Sequence, residues 1–502
     1  MKGIMIQGTG SDVGKSLIAT AFCRLFANEG LKVTPFKSQN MSNNSYVTVD
    51  GKEIGRAQGV QAEAAGMEAN VWMNPILLKP RSDIQSEVVL LGEAVETFSG
   101  KDYRERFYDK GLEVIRTSLH YIKENFDVVV IEGAGSPVEI NLNDRELVNM
   151  KVAELADVPV VLVADIERGG VFASIIGTLE LLAMEERNRI KGLIINKFRG
   201  DIQLFQDGVN WLEENTGIPV FGVLPHIDNH QIDEEDSLSL QAEPYQRGNR
   251  EIDIAVIHFP YISNYSDVEP FFYEEDVAVR FVKDPSEFGK PDAVILPDTK
   301  STIQDLQMIK NNGFEKLLVK YVQDGGFIFG ISGGYQMMGT EITDEFGGDT
   351  GIIGCNIKGL NLIPARTFFR DATETVRSNG HYHLRTSLKG NTTITGYEIH
   401  LGRTEVNAEY KSFLMLDDGK SEGYYGENGR VIGTYVHHLF HSDEWRNQWL
   451  NHIRNNKSLP SKSVVNTEEL KKERYDRLAN NMKEHLDWEK IKDMVNSWES
   501  EK

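Results

Sequence analysis

Residues 3–16, GIMIQGTGSDVGKS, constrain this chain more than any other stretch. Gly3 to Gln7 reads as a short buried strand, because nearly all its residues are apolar and no turn residue interrupts them. A glycine-rich turn follows, Gly8-Thr9-Gly10-Ser11-Asp12-Val13-Gly14-Lys15-Ser16, and then a helical run, LIATAFCRLFANEG. Such a turn aims successive backbone N–H groups into one concavity. The helix N-terminus behind it adds the positive end of its dipole. The result is an anion site. Lys15 is placed to reach the β/γ-phosphates of a nucleotide, and the Ser16 hydroxyl to ligate Mg²⁺. The loop is longer than the common P-loop. Counting back from Gly14, the expected first glycine falls on Thr9, and Gly8 lies one further out.

The following residues read as an α/β sheet that feeds this loop. LKVTPF, residues 31–36, is a second strand, and Lys37 follows it where such sheets place their ligands. Asp50-Gly51 is a turn, and a helix is expected from about Glu53. On it Gln58 and Gln61, three residues apart, share a face among alanines, an amide-rich surface suited to a ligand. MNPILLKPRSD, residues 73–83, reads as a loop that offers Lys79 and Arg81 to a substrate anion. Residues 104–125 form an amphipathic helix. In DVVVIEGAGSP, residues 127–137, a buried strand ends in Glu132, where Mg²⁺ would be held beside a P-loop. VPVVLVAD and GLIINKFRGD are further strands, and Asn196 at the end of the second can pair with an adenine edge. PVFGVLP, residues 219–225, closes the series. Strand–helix alternation implies a mostly parallel sheet covered on both faces.

A chain of 502 residues is too long for one core and implies two to four domains. A net charge of −22 argues against a nucleic-acid partner, so local cations and helix N-termini must hold any anionic substrate. No apolar run of about 18 residues exists to cross a membrane. The N-terminus runs straight into a strand without a signal peptide's apolar region. The two cysteines, Cys23 and Cys355, build no disulfide framework. A cytoplasmic location is expected. The oligomeric state is not legible.

DEEDSLSLQAEPYQRGNRE, residues 233–251, has a linker's composition. Strand-like runs resume at IDIAVIHF, VAVRFV and DAVILP. In GGFIFGISGGYQMMG, residues 325–339, Ser332 sits between an apolar strand and a helix start. Such an elbow lifts one side chain above the sheet and aims backbone N–H groups at a developing oxyanion. His437, in GTYVHHLF, is the candidate base. Gly330-Ile331-Ser332-Gly333-Gly334 also fits the G-x-S-x-G hydrolase elbow, so a serine esterase with its third residue unassigned is one reading. Polar residues from about 456 to 502, with apolar ones at helical spacing, read as a helical surface extension.

The motifs GTGSDVGKS, KSQNMSNN, VDGKEIGRAQ, QAEAAG, MNPILLKP, IEGAGSP and INKFRGD, taken in order, resemble the cobyric acid synthases, glutamine-dependent enzymes of cobalamin synthesis. The resemblance implies a dethiobiotin synthetase-like P-loop domain over 1–232, a linker over 233–250, a class I glutamine amidotransferase domain over 251–455 and a helical extension over 456–502. It implies ATP and Mg²⁺, a corrinoid substrate, and glutamine or ammonia as the nitrogen source. The implied reaction amidates the b, d, e and g side-chain carboxylates of adenosylcobyrinic acid a,c-diamide through acyl phosphates. Lys15 would neutralise charge during transfer, with metal at Ser16 and Glu132 and a further contact from Asp50. Lys37, Gln58, Gln61, Lys79 and Arg81 would face the corrinoid. In the family the second domain releases ammonia from glutamine, and the ammonia passes between domains.

Two positions depart from the family's pattern. Its nucleophilic cysteine is replaced by Ser332, and Cys355 lies outside the elbow. Where the family carries Gly-Ser near its oxyanion hole, this chain has Asp298-Thr299. A serine hydroxyl is a poorer nucleophile than a thiolate beside histidine, and a carboxylate opposes a developing oxyanion. Weak glutaminase activity is expected. Ser332 reads as an introduced substitution, as a natural variant that uses free ammonia, or as a working nucleophile, and the sequence does not rank the first two. Cobyrinic acid a,c-diamide synthase, a P-loop ATPase switch and a non-catalytic corrinoid binder are the alternatives.

Overall fold

The computed structural model describes residues 1–82, 85–141, 145–227, 250–382, 392–407 and 409–499. The chain divides into two compact units, Met1–Glu235 with Lys471–Lys502, and Asp236–Leu470. The linker expected over 233–250 lies, apart from Arg250, outside the described residues.

The first unit is built on six strands: β1 (Gly3–Gly8), β2 (Val33–Phe36), β3 (Val128–Glu132), β4 (Val160–Asp165), β5 (Ile190–Phe198) and β6 (Val220–Pro225). Their order is β6-β5-β4-β1-β3-β2, and every pairing is parallel. Runs such as Val128–Ile131 and Val160–Ala164 are buried along their whole length, as strands covered on both faces must be. The strand order reverses around β1, so the crevice beyond its C-terminal end is the natural ligand position. Helix α1 (Lys15–Asn28) leaves that end and packs Ile18, Phe22 and Phe26 onto one face of the sheet.

Three local expectations are corrected. Glu53–Gly55 is a short strand paired with Ser45–Val47, and helix α2 begins at Arg56 and ends at Ala64. The expected substrate loop is strand Ile76–Ser82, in a four-stranded sheet with Gln39–Met41, Gln85–Leu90 and Glu93–Ser99. Lys79 and Pro80 disguised that strand, because a lysine in it is tolerated only through an ion pair that spacing does not reveal. The single helix over 104–125 is two, Gly100–Arg106 and Tyr108–Asn125.

The C-terminal stretch also differs from a surface extension. Helices Thr467–His485 and Trp488–Ser497 bring Tyr475, Leu478, Met482, Trp488, Ile491 and Val495 into the apolar layer beneath α1. The Trp488 ring lies 5.3 Å from Phe22 and 4.7 Å from Phe26, and its Nε1–H donates to Glu29 at 2.8 Å. The segment is therefore part of the first unit's core.

The second unit has its own sheet of β7 (Ile252–Ile257), β8 (Val277–Val282), β9 (Ala293–Leu296), β10 (Phe327–Ile331), β11 (Tyr424–Gly426) and β12 (Val431–Thr434). Its order is β8-β7-β9-β10-β12-β11, parallel except for the edge pair β11–β12. Beyond β10 the chain turns at Ser332 into helix α3 (Gly333–Met338). A second sheet pairs the long strands Ala365–Tyr382 and Thr392–Val406, and the short strand Val436–His437 joins it opposite Tyr397 and Glu398. His437 is thus fixed three residues after β12 ends, where the chain crosses from one sheet to the other. Among the described residues no helix is long and apolar enough to cross a membrane.

A Trp488→Ala variant is expected to lose about 3–5 kcal/mol from the first unit, as buried Trp truncations do. The check is urea denaturation followed by far-UV circular dichroism, in which the unit's transition should move to lower urea.

Candidate active sites

The first unit gathers its charged residues at the C-terminal ends of β1 and β3. Gly14 takes φ 97°, the left-handed region, and a Cβ there would lie 2.2 Å from Asn196 Nδ2. Only glycine fits. Asn196, buried at the end of β5, braces the loop by donating Nδ2–H to the Val13 carbonyl at 2.8 Å. Thr9 N–H donates to Val163 O at 2.9 Å, and Asp12 also takes positive φ. Gly8, Thr9, Gly10, Ser11, Asp12 and Val13 therefore form one loop from β1 to Lys15. Lys15 Nζ donates to the carbonyls of Gly10 at 2.8 Å and Gly135 at 3.1 Å, so it reaches across the loop to the glycine turn after β3.

Glu132 ties this cluster together. Its Oε1 accepts from Ser16 Oγ at 2.8 Å and from Lys37 Nζ at 3.0 Å, and its Oε2 from Gln61 Nε2 at 2.6 Å. Burial works to raise its pKa, but the Lys37 charge and the three donors outweigh that and hold it below the ordinary value. The carboxylate is ionised. Ser16 Oγ and Glu132 Oε1, 2.8 Å apart, have the spacing of two adjacent ligands on an octahedral Mg²⁺, whose bonds are about 2.1 Å. Both are hard oxygens, so the donor pair fits that ion.

The other expected residues are placed differently. Lys37 is engaged by Glu132, and Gln61 by the same carboxylate. Lys79 is ion-paired with Glu53, and both are buried. Gln58, on α2, accepts from Asn40 Nδ2 at 3.0 Å. Gln58 Nε2 and Gln61 Oε1 are buried amide atoms with no hydrogen-bond partner. The Arg81 side chain lies outside the described residues. Asp50 is exposed on the Ser45–Gly55 hairpin, where it accepts from Thr48, and no contact joins it to Ser16 or Glu132. Glu53, which neutralises Lys79, carried no signal in sequence.

The second unit's elbow holds Ser332 at φ 48°, ψ −109°, strained for any residue but glycine. Its N–H donates to Thr434 O at 2.8 Å, which ties it to the strand before His437. His437 is fully buried and stacks on Tyr397 with ring centroids 5.2 Å apart. Its Nδ1 meets Asp267 Oδ2 at 2.8 Å, and Asp267 Oδ1 accepts from His438 N–H at 2.7 Å. Asp267 is therefore the residue that orients the histidine. It lies 170 positions earlier, in a 3-10 segment, and no spacing rule points to it.

Asp298 lies against the elbow. Its Oδ1 accepts from Gly333 N–H at 3.1 Å, the elbow donor that acyl transfer aims at a tetrahedral intermediate. Its Oδ2 accepts from Ser263 Oγ at 2.6 Å and Asn264 Nδ2 at 2.9 Å. Burial pushes its pKa up, but the charges of His437 and Lys300 with these donors outweigh it, so the carboxyl is held below its ordinary value. Asp267 and Asp298 in turn outweigh burial at His437 and push that pKa up. Cys355 lies on the strand Cys355–Lys358, outside the elbow.

Comparison with known proteins agrees with both halves. Residues 4–238 match the CobQ/CobB/MinD/ParA nucleotide binding domain, and residues 253–445 the CobB/CobQ-like glutamine amidotransferase domain. The cobyric acid synthase of Geobacillus thermodenitrificans is 48% identical over 498 residues, covering 99% of this chain and 98% of the relative. That of Geobacillus sp. strain WCH70 is 50% identical over 495 residues, covering 98% and 97%. That of Clostridium acetobutylicum is 43% identical over 496 residues, covering 98% of each. A P-loop nucleotide-binding unit followed by a class I amidotransferase unit, with relatives of this identity along its whole length, places the chain in the cobyric acid synthase family.

Proposed function

We propose that this enzyme amidates the b, d, e and g side-chain carboxylates of adenosylcobyrinic acid a,c-diamide, with ATP as activator and free ammonia rather than glutamine as the working nitrogen source. A carboxylate resists ammonia because its carbon is shielded by charge and its leaving group is oxide. In the proposed first step a corrinoid carboxylate oxygen attacks the γ-phosphorus, the bond to the β,γ-bridging oxygen breaks, and ADP leaves. Lys15 and the backbone N–H groups of the loop offset the charge that builds on the phosphates. Ser16 and Glu132 would hold Mg²⁺, which would supply further charge neutralisation there. Ammonia then attacks the acyl phosphate, and inorganic phosphate departs.

The Glu132 cluster supports the activating half of this reading. Lys37 and Gln61 keep the carboxylate ionised and oriented for a metal. The partnerless amide atoms of Gln58 and Gln61 are polar groups that a bound substrate can satisfy. Lys79, neutralised by Glu53, is withdrawn from the set of substrate cations.

The observation that carries the choice of nitrogen source is the Asp298–Gly333 hydrogen bond of 3.1 Å. An ionised carboxylate already takes the donor that a glutamine-derived oxyanion needs, and the nucleophile is a hydroxyl. Loss of one such donor costs about 10²–10³ in kcat, and here a negative charge stands in its place.

Three measurements test the proposal. Product mass after incubation with corrinoid diamide and ATP should show four amidations with ammonium chloride and little conversion with glutamine at low concentration; ready conversion with glutamine overturns the nitrogen assignment. Ser332→Cys alone should restore little glutaminase, because Asp298 still holds Gly333. Ser332→Cys with Asp298→Gly should exceed that single variant by about 10²-fold or more. Glu132→Gln should lower ammonia-dependent amidation by about 10²-fold, read as ADP release coupled to product.

A further inference from the structure

The ends of β4 and β5 grip the phosphate loop through consecutive side chains. Asp165 and Asn196 are register partners at these ends, and Lys197 comes next. In extended backbone consecutive side chains leave opposite faces of a sheet. Lys197 instead takes φ 61°, the left-handed region, and its side chain reaches the same loop as that of Asn196. A left-handed residue other than glycine is strained, and such strain gathers at functional positions. Lys197 Nζ donates to the Asp12 carbonyl at 2.5 Å and lies 3.1 Å from Asp165 Oδ2. The Asp165 carboxylate is itself fixed, since its Oδ1 accepts from Glu167 N–H at 2.8 Å. Asn196 holds the next carbonyl, that of Val13.

A trans peptide is planar, so the carbonyl of one residue and the N–H of the next point in opposite directions. Lys197 draws the Asp12 carbonyl toward β5 and thereby turns the Val13 N–H away from it, into the loop. Asn196 does the same for the Gly14 N–H through the Val13 carbonyl. We propose that Lys197, held by Asp165, is a positioning residue for phosphate binding: it orients the Val13 N–H and makes no contact of its own with the nucleotide. This rests on the reading above that ATP binds this loop, and it names what shapes the loop for it.

The position of the contact says which ligands depend on it. Backbone N–H groups of such loops cradle the α/β-phosphates, whereas the loop lysine, here Lys15, reaches the β/γ-phosphates. Lys197 therefore serves a diphosphate as well as a triphosphate, and a ligand without a base as well as one with it. Asp165 separates orientation from charge. A lysine that met phosphate directly would bind it more tightly once its carboxylate partner lost its charge, while a lysine that orients a peptide would lose its anchor. Arg168 is the control for charge alone. Its Nη2 lies 3.5 Å from the Asp12 carboxylate rather than the carbonyl, and both side chains are more than half exposed.

Titration calorimetry of the full chain with ATP, ADP and inorganic tripolyphosphate tests the assignment. Lys197→Met should raise the Kd of all three by about tenfold or more, as loss of a hydrogen bond from a charged donor does. Asp165→Asn should raise each by about threefold or more. Arg168→Met should leave each within about twofold. Unchanged affinities in Lys197→Met, a loss confined to ATP, or a loss that spares tripolyphosphate would each overturn the proposal. So would tighter binding in Asp165→Asn, or a loss in Arg168→Met as large as that in Lys197→Met. If Lys197→Met does not fold, the sign of the Asp165→Asn effect decides by itself. An unaltered protein that bound none of the three ligands would refute the nucleotide reading and this assignment with it. Binding by the unaltered protein with no change in the variants would refute the assignment alone.

Discussion

One buried carboxylate organises the first unit. Glu132 is 1% exposed at the tip of β3, and its charge is tolerated only because Ser16, Lys37 and Gln61 surround it. Those partners come from the start of α1, the end of β2 and the middle of α2. Three elements that leave the sheet at different points are thereby held to one position. Removing a single donor would leave a buried charge under-compensated, a cost that far exceeds that of an exposed ion pair. The P-loop is held from its other side by Asn196, packed so closely on Gly14 that no side chain fits between them.

The second unit repeats the scheme with a different result. Again a parallel sheet ends in a sharp turn and a helix, and again a buried carboxylate sits where the backbone N–H groups point. In the first unit the carboxylate is paired with a lysine and leaves the anion loop free for phosphate. In the second, Asp298 itself takes the elbow's donor. A strand–turn–helix presents positive potential to whatever negative group is nearest, and here that group belongs to the protein. The fold of a class I amidotransferase unit is kept, and within it a buried carboxylate accepts from the elbow's Gly333 N–H.

The β-strands of both sheets were legible because buried parallel strands are continuous apolar runs, and the glycine-rich loops announce themselves by spacing. Ser332 and His437 were legible for the same reason: each follows an apolar run and sits in a short motif. What the sequence concealed are pairings across long separations. Lys79 resembles a substrate cation until Glu53 is seen beside it. The residue that orients His437 lies in NYSDVEPF, where nothing distinguishes Asp267 from any other acidic residue. Asp298 was visible as a departure, but only the hydrogen bond to Gly333 shows which donor it occupies. The C-terminal helices misled for a related reason. Their apolar residues are sparse among Glu, Lys and Asn, and Trp488 gains its weight from Phe22 and Phe26, far away in the chain.

That last packing has a consequence for biogenesis. Ribosomes release a chain from its N-terminus, so β1 and α1 emerge long before the helices that cover Phe22 and Phe26. The nucleotide-binding unit must wait, with an oily flank uncovered, through the whole synthesis of the amidotransferase unit. Its closure comes only after the amidotransferase unit has been made, and nascent chains stalled before Trp488 would carry that flank bare. Order of manufacture and order of folding therefore run in opposite directions at this one face.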